Sequence, residues 1–155
     1  MTLRAGCGVD AHRFGPGRPL MLGAVHVDHP EGLAGHSDGD VVAHALCDAL
    51  LAAAGEPDIG VLFPAGDPAW AGVSGARMLA AVAERLAAAG RHPANAHAVV
   101  VCERPRLAPY RGAMEAALSA AVGAPVTVHA TTTDGMGFTG RGEGVACHAV
   151  ALVEV

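Results

Sequence analysis

One stretch constrains the fold of this chain more than any other, the stretch from His36 to Asp48. Near its start stand Ser37, Asp38 and Asp40, whose side-chain oxygens can each accept hydrogen bonds from the free N–H groups at a helix N-terminus. An alanine-rich apolar run follows, and the glycine after that run can end a helix in the left-handed conformation. The stretch therefore predicts a helix that begins near Asp40 and ends at Ala54.

The same helix carries a histidine between two carboxylates. His44 lies four residues after Asp40 and four before Asp48, so all three share roughly one face. This spacing suits a metal-binding histidine whose orientation is supported by the two carboxylates. A solvated polar stripe on a surface helix explains the spacing as well, so the choice depends on the rest of the chain.

Composition limits the class of protein. The chain has 155 residues, which predicts a single domain over residues 1–155. Only 3% of the residues are aromatic while 52% are apolar, so the core has to be built from Ala, Val and Leu. A net charge of −5 does not predict a nucleic-acid-binding surface, which would be basic. The sequence has no long apolar run and no basic N-terminus followed by an apolar run, so it predicts neither a membrane span nor a secretion signal. The four cysteines are scattered without a C-x-x-C pair, which predicts free thiols in a cytoplasmic protein.

The N-terminal segment has the period of a β-strand. Its residues alternate from 4 to 12, which places Asp10 and His12 on the same face, two residues apart. A second strand is expected from Leu20 to Val27, as a hairpin partner of the first. A loop then leads into the helix described above.

The remainder of the chain alternates helices and strands. Residues 56–70 form a long irregular segment, and Ser74 and Pro109 mark the starts of two further helices. Three more strands are expected, over residues 96–102, 126–131 and 145–153. The sum is an α/β fold of the α+β type, with a mixed sheet of about five strands, helices packed against it and two β-α-β units toward the C-terminus.

The segment between the last two expected strands is rich in glycine. Residues 131–144 contain five glycines, four threonines and Arg141. Glycines let backbone N–H groups approach an anion closely, and an arginine offers a fork for phosphate oxygens. A glycine-rich hairpin turn is the alternative interpretation of this segment.

Three residues from separate elements can form a metal site. The pair Asp10 and His12 from the strand and His44 from the helix supply one carboxylate and two imidazoles. Three protein ligands of these types leave the fourth position of a tetrahedral zinc ion open, as catalytic zinc sites do. A structural zinc site would use four ligands and favour thiolates.

Seven short segments occur in a specific order: Asp10-Ala11-His12, His36 to Asp40, His44, Asp58-Ile59-Gly60, Phe63-Pro64, Thr131-Thr132-Thr133 and Gly137 to Gly144. Together they resemble the 2-C-methyl-D-erythritol 2,4-cyclodiphosphate synthase family, from about Gly6 to Ala151. This family converts 4-diphosphocytidyl-2-C-methyl-D-erythritol 2-phosphate to the cyclic diphosphate in the non-mevalonate (MEP) isoprenoid pathway, and CMP leaves. The resemblance implies a homotrimer of ferredoxin-like subunits, each with helices on one face of the sheet and with active sites between subunits.

The resemblance also implies roles for individual residues. Asp10, His12 and His44 would bind zinc, and Asp134 would help to hold a second divalent ion, Mg2+ or Mn2+, where the family usually has Glu. His36 and Thr132 match positions that stabilise the transition state. The full set of implied substrate contacts is Asp10, Ala11, His12, His36, Ser37, Asp58, Ile59, Gly60, Phe63, Pro64, Ala65, Gly66, Asp67, Thr131, Thr132, Thr133, Asp134, Phe138 and Arg141. Ala65 stands where the family usually has Asp.

Two further sets follow from the resemblance. The cytidine-binding turn would be Cys102, Glu103, Arg104, Pro105, Arg106, Leu107 and Ala108, with Arg106 in place of a common Lys. The central channel of the trimer would be lined by Phe138, Arg141 and Glu143, and in the family that channel can hold an isoprenoid diphosphate.

Two other functions use the same residues. A zinc-dependent phosphohydrolase would need the same three metal ligands, with water as the nucleophile. A trimeric binding protein for isoprenoid diphosphates would need the zinc only as a structural ion. The open fourth metal position and the pair His36 and Thr132 speak against the binding protein.

Overall fold

The computed structural model describes all residues from 1 to 155. Its strands are β1 (Leu3–Gly15), β2 (Leu20–Leu22), β3 (Val25–Val27), β4 (Gly32–Leu33), β5 (His92–Val101), β6 (Val126–Thr131) and β7 (Gly144–Glu154). Its helices are α1 (Val41–Ala54), α2 (Ile59–Leu62), α3 (Gly75–Ala88), α4 (Arg111–Val122) and α5 (Gly137–Gly140), with 3₁₀ turns at Pro68–Trp70 and Ala108–Tyr110. None of these helices is long and apolar enough to cross a membrane.

Five strands form one mixed sheet in the order β4-β1-β7-β5-β6. β7 is antiparallel to both of its neighbours, β1 and β5. Its Cys147 lies between Asp10 of β1 on one side and Val100 of β5 on the other. β5 and β6 are parallel and are joined through α4. The predicted mixed sheet of about five strands is confirmed. Of the two predicted β-α-β units only this parallel one forms, because β7 enters the sheet antiparallel between β1 and β5.

The helices cover one face of the sheet. α1 packs on β1 and β7, and α4 packs on β6. α3 packs on the two helices α1 and α4. The contact between α1 and β1 is made possible by two glycines, since a Cβ atom on Gly6 would lie 2.1 Å from the carbonyl oxygen of Ala49 and one on Gly8 would lie 2.0 Å from that of Ala45. Asp10 and His12 continue the same face of β1, as the alternation predicts.

The central helix α1 forms as predicted. Asp40 caps its N-terminus by accepting hydrogen bonds from the backbone N–H groups of Val42 and Ala43, and Gly55 follows its last residue with φ 73°. All but two of its 14 residues are buried, between the sheet on one side and α3 on the other. The interpretation of this segment as a surface helix with a solvated stripe is therefore wrong.

Residues 20–27 do not pair with the first strand. They form their own hairpin, in which β2 and β3 pair with each other across Gly23 and Ala24. Both turn residues have positive φ, 60° and 63°, which is the conformation of a tight two-residue hairpin turn. The Asp40 carboxylate accepts hydrogen bonds from the N–H groups of both residues, at 3.0 and 2.7 Å, and so holds the turn against the start of α1. The expected hairpin with the first strand is corrected accordingly: β1 pairs with β7 and β4.

The opposite face of the sheet is open to solvent. Leu3 and Val9 of β1 and Val150 of β7 are 53%, 57% and 50% exposed. Single exposed apolar side chains are ordinary, whereas several on two adjacent strands are typical of a surface that contacts another protein; the exposed Thr127, His129 and His148 make the rest of this face polar.

Candidate active site

The predicted metal ligands converge. Asp10 Oδ2 lies 2.8 Å from His12 Nε2 and 3.1 Å from His44 Nδ1, and the two ring nitrogens are 3.2 Å apart. In a tetrahedral zinc site, ligand atoms about 2.1 Å from the ion are about 3.4 Å from one another. The three donor atoms are thus nearly at the separations that one zinc ion requires, and one carboxylate with two imidazoles is a donor set that suits zinc.

The second nitrogen of each imidazole has its own partner. His12 Nδ1 donates a hydrogen bond to the carbonyl oxygen of Ala34, which can only accept, and His44 Nε2 pairs with Ser37 Oγ at 3.0 Å. These bonds leave His12 Nε2 and His44 Nδ1 free to bind a cation, which is how proteins orient metal-binding histidines.

The charges of the three groups are coupled. Burial would raise the pKa of Asp10, but hydrogen bonds from His12 and His44 and the charges of both rings outweigh it and lower that pKa to about 2. The hydrogen bond to Asp10 in turn raises the pKa of His12 above its ordinary value. Asp10 is therefore an anion at neutral pH, ready to bind a cation.

The two helix carboxylates do not support His44 directly. The Asp40 carboxylate accepts hydrogen bonds from backbone N–H groups of the helix start and of the hairpin turn. The Asp48 carboxylate accepts a hydrogen bond from the N–H of Ile59 at 3.0 Å. This corrects the expectation drawn from their spacing on the helix, because the partner of His44 is the Ser37 hydroxyl. Asp48 instead holds the start of α2, whose residues face the metal ligands.

The three ligands open into a cavity of about 240 Å³, which we call the metal pocket. Nine of the residues singled out in the sequence line it: Asp10, His12, His36, Ser37, His44, Ile59, Gly60, Phe63 and Ala65. The lining is completed by three residues that the sequence did not indicate as part of a site: Trp70, Val73 and Met78. One wall is therefore polar and the other is apolar.

The apolar wall is held by short-range contacts. Asp58 caps α2, and Asp67 caps the following 3₁₀ turn by accepting the N–H of Ala69 at 2.9 Å. Phe63 and Trp70 pack edge to face with ring centroids 4.5 Å apart. The segment expected to be irregular, residues 56–70, thus contains one α-helical turn and one 3₁₀ turn. Nothing in the sequence pattern of this segment predicted that Trp70 lines the pocket.

A second cavity of about 620 Å³, which we call the threonine pocket, lies at the ends of β5 and β6. It is lined by residues 102–109 and by Ala130, Thr131 and Thr132. The whole expected cytidine-binding turn is thus adjacent to two of the three threonines. The N–H of Cys102 donates to the carbonyl oxygen of Thr131 at 3.1 Å, which ties the two segments together.

The two pockets are separate. Asp10, Cys147, Val100 and Ala130 lie side by side on the four strands β1, β7, β5 and β6. Three strand spacings place the two ends of this row about 14 Å apart. One chain therefore does not bring Thr132 next to His36.

The predicted residues that follow Thr132 line neither the metal pocket nor the threonine pocket. Asp134 is near Thr132, with 3.4 Å between Oδ1 and Oγ1, and Thr133 Oγ1 is 2.9 Å from Thr139 Oγ1. The exposed Arg141 pairs with Glu143 at 2.7 Å. Phe138 is 43% exposed, so these side chains face outward in one chain.

Comparisons with known proteins agree along the whole chain. The family model described as the YgbB family matches residues 3–154. The chain is 50% identical to the 2-C-methyl-D-erythritol 2,4-cyclodiphosphate synthase of Symbiobacterium thermophilum over 151 residues, 96% of each chain. It is 52% identical to the bifunctional enzyme IspD/IspF of Clavibacter michiganensis, where the match covers 98% of this chain and 37% of the relative.

The structural comparison agrees with the sequence comparison. A solved structure of a 2C-methyl-D-erythritol-2,4-cyclodiphosphate synthase, in a form bound to CDP, is similar with a TM-score of 0.88 and 37% sequence identity. That match covers 97% of this chain and 100% of the solved one. This chain thus spans about a third of the bifunctional relative and nearly the full length of the single-function proteins.

Proposed function

The chain belongs to the YgbB family, and we propose that it converts 4-diphosphocytidyl-2-C-methyl-D-erythritol 2-phosphate to 2-C-methyl-D-erythritol 2,4-cyclodiphosphate, with release of CMP. This is a cyclising lyase reaction of the MEP isoprenoid pathway. The observation that carries the proposal is the donor set of the metal pocket, where one carboxylate and two imidazoles converge beside an open cavity. The relative that is 50% identical over 96% of both chains bears the same activity in its name.

The reaction needs positioning more than acid–base chemistry. An oxygen of the 2-phosphate forms a bond to the β-phosphorus of the diphosphate, the bond from that phosphorus to the bridging oxygen breaks, and CMP carries the bonding electrons away. The attacking group is already an anion, so the protein has to align two phosphates and balance their charge. An activated nucleophile is not required, in keeping with Cys102, whose pKa burial raises to about 11.

We assign the metal pocket to the methylerythritol end of the substrate. Asp10, His12 and His44 would hold zinc, which when bound supplies a Lewis-acid contact to a phosphate oxygen. His36 is exposed in the same pocket and can donate to an oxygen that gains charge in the transition state. The apolar wall at Phe63 would pack on the carbon skeleton, and the other substrate contacts implied by the resemblance keep their proposed roles.

We assign the threonine pocket to the cytidine and the diphosphate. The turn of residues 102–108 would bind the nucleoside, and the Thr132 hydroxyl would contact the reacting phosphorus. Asp134 would help to hold Mg2+ or Mn2+, for which one protein carboxylate suffices because magnesium keeps waters and substrate phosphates as its other ligands.

We propose that the chain acts as a homotrimer with active sites between subunits. Two observations support this assembly: apolar side chains of β1 and β7 are exposed on the open face of the sheet, and the two pockets lie about 14 Å apart by strand spacing. The threonine pocket of one subunit would then complete the metal pocket of its neighbour. Phe138, Arg141 and Glu143 would line a central channel that accepts an isoprenoid diphosphate. Sedimentation of the protein tests the assembly, with an expected mass three times the subunit mass of 15.4 kDa.

Two further proposals concern the domain organisation and the compartment of the protein. Residues 1–155 would act as one domain. All four cysteines are free, which favours a reducing compartment such as the cytoplasm.

The experiment that tests the activity is ³¹P NMR of the protein with the cytidine diphosphate substrate, Mg2+ and trace Zn2+. We expect CMP together with two coupled phosphorus signals of a cyclic diphosphate, and loss of both products on chelation. CMP with a linear bisphosphate would identify the phosphohydrolase instead. A folded trimer without turnover would favour the binding protein and would contradict the proposal.

A further inference from the structure

Arg18 lies outside both pockets but is joined to the metal pocket by three hydrogen bonds. It is half-buried and follows the turn after β1. Its Nη1 donates to the carbonyl oxygens of Leu33 and Gly35 at 3.0 and 2.9 Å, and its Nη2 donates to that of Ser37 at 2.6 Å. One guanidinium thus binds three alternate carbonyls of residues 33–37, which we call the pocket segment.

The other two carbonyls of the pocket segment point to other partners. The carbonyl of Ala34 accepts the hydrogen bond from His12 Nδ1, and that of His36 accepts the N–H of Gly72 at 3.1 Å. The Ser37 side chain at the end of the segment is the partner of His44 Nε2. Both imidazoles of the metal site are therefore oriented by a segment whose remaining carbonyls are bound by Arg18.

The pocket segment also touches a metal ligand directly. A Cβ atom on Gly35 would lie 3.2 Å from Cε1 of His12, so the backbone here packs on the imidazole ring. A shift of the segment would therefore move the His12 ring as well as its hydrogen-bond acceptor. Only arginine suits this arrangement, because its five N–H groups form a rigid fork, whereas the ammonium group of lysine is a single point of charge.

We propose that Arg18 is a positioning residue for the metal pocket: it holds the pocket segment so that His12 and His44 present their free nitrogens to the cation and His36 faces the substrate. The part that concerns His36 rests on the proposed function, whereas the part that concerns the metal ligands does not. Loss of a partner that orients a metal ligand lowers metal affinity or activity by about 10- to 100-fold.

The test compares zinc affinity and turnover in variants of the full chain. We expect Arg18→Ala to bind zinc about 10- to 100-fold more weakly, measured by competition with a chromogenic chelator. Arg18→Lys should show a loss of the same order, because one ammonium cannot reach three carbonyls. Guanidinium ion added at millimolar concentration should restore part of the zinc affinity of Arg18→Ala. Arg77→Ala is the matched control, since Arg77 is exposed and has only a 3.8 Å ion pair with Glu84.

Several outcomes would overturn the inference. Unchanged zinc affinity and turnover in Arg18→Ala would do so. A loss of zinc affinity that guanidinium does not reverse and that is accompanied by a large fall in Tm would also do so, because it would indicate general destabilisation of the fold. If Arg18→Ala does not fold, full zinc affinity in Arg18→Lys would contradict the role of the fork. The proposed function can fail separately. If the wild-type protein has no cyclase activity but its zinc affinity still depends on Arg18, the proposed function is contradicted and the inference about Arg18 is supported.

Discussion

The metal pocket and the threonine pocket are built in different ways. The metal pocket joins β1, α1 and the pocket segment, which are distant in sequence, and two of its polar side chains, Ser37 and His44, are only 7% and 6% exposed. In the threonine pocket Thr131 and Thr132 are exposed, and their side-chain bonds, all 3.4 Å long, reach residues no more than two positions away. The metal pocket thus has buried polar side chains held by bonds between distant segments, whereas the threonine side chains of the second pocket are exposed and held only by local bonds.

The largest effect is expected where the metal pocket loses a ligand. His44→Ala removes one of three donors, so bound zinc should fall to background and kcat/KM should drop by at least about 1000-fold, the scale of losing a central charge-stabilising group in phosphoryl transfer. Zinc content by atomic absorption and turnover by ³¹P NMR measure both. The exposed His92 gives a matched control, since His92→Ala should keep zinc and activity. A His44→Ala protein that retains zinc would show that the three donors do not form the site.

A separate loss is expected in the threonine pocket. Thr132→Ala removes a hydroxyl that would contact the reacting phosphorus, and kcat should fall by about 100-fold, the lower range for one stabilising donor. Zinc content should not change, because the metal pocket lies three strands away in the same chain. Thr127→Ala serves as the control, because Thr127 lies on β6, five residues before Thr132 and outside the pocket. Loss of zinc in Thr132→Ala would contradict this independence, and it would mean that the two pockets are coupled, either within one subunit or across the proposed interface between subunits.

Packing beneath the metal pocket gives the third prediction. Gly8→Ala would place a Cβ atom 2.0 Å from the carbonyl oxygen of Ala45, so α1 would have to move away from β1. Overpacking of this kind lowers the free energy of unfolding by about 1–3 kcal/mol. Gly112→Ala is the control, because a Cβ atom added there would have no neighbour within 4 Å and alanine favours a helix. Urea unfolding of the two variants measures the difference, and equal stability would contradict the close contact.

The same contrast explains what the sequence could predict. The helix over 41–54 is set by local signals, the Asp40 cap and the final glycine, so both of its ends are confirmed. The metal ligands could be found because strand alternation and one helical histidine narrow the choices to Asp10, His12 and His44. In both cases the controlling residues are close together in the sequence or share a simple period.

The remaining features depend on contacts between distant segments. Residues 20–27 are expected to form a partner strand of β1, but the tight turn at Gly23 and Ala24, held by the Asp40 carboxylate, folds them onto themselves. The position of α2 in the wall of the metal pocket depends on the hydrogen bond from the Ile59 N–H to Asp48, which no periodicity encodes. The sequence could not show such links, because each joins a backbone group to a side chain many residues away.

The smallest effect is expected from the surface charge of Glu56, which lies between α1 and α2. Glu56 accepts hydrogen bonds from Arg85 at 3.1 and 2.8 Å and from Arg91 at 3.0 Å, just before the segment that forms the apolar wall. The hydrogen bond from Arg85 is the main cause that holds the pKa of Glu56 below its ordinary value of 4.5. The stabilisation from its charge is therefore fully present above the unfolded-state pKa and is lost as pH falls through the lower folded-state value.

Glu56→Gln should consequently lower Tm slightly at pH 7, and the difference from wild type should vanish under acid conditions below the folded-state pKa. The effect stays small because exposed ion pairs contribute little. Glu84→Gln is the control, since its partner Arg77 lies 3.8 Å away and both side chains are exposed. Zinc affinity should be the same in both variants, because the ligands are oriented by buried contacts and not by these surface charges. A fall in zinc affinity for Glu56→Gln alone would show that the metal pocket depends on its surface as well, and would weaken the contrast with the threonine pocket.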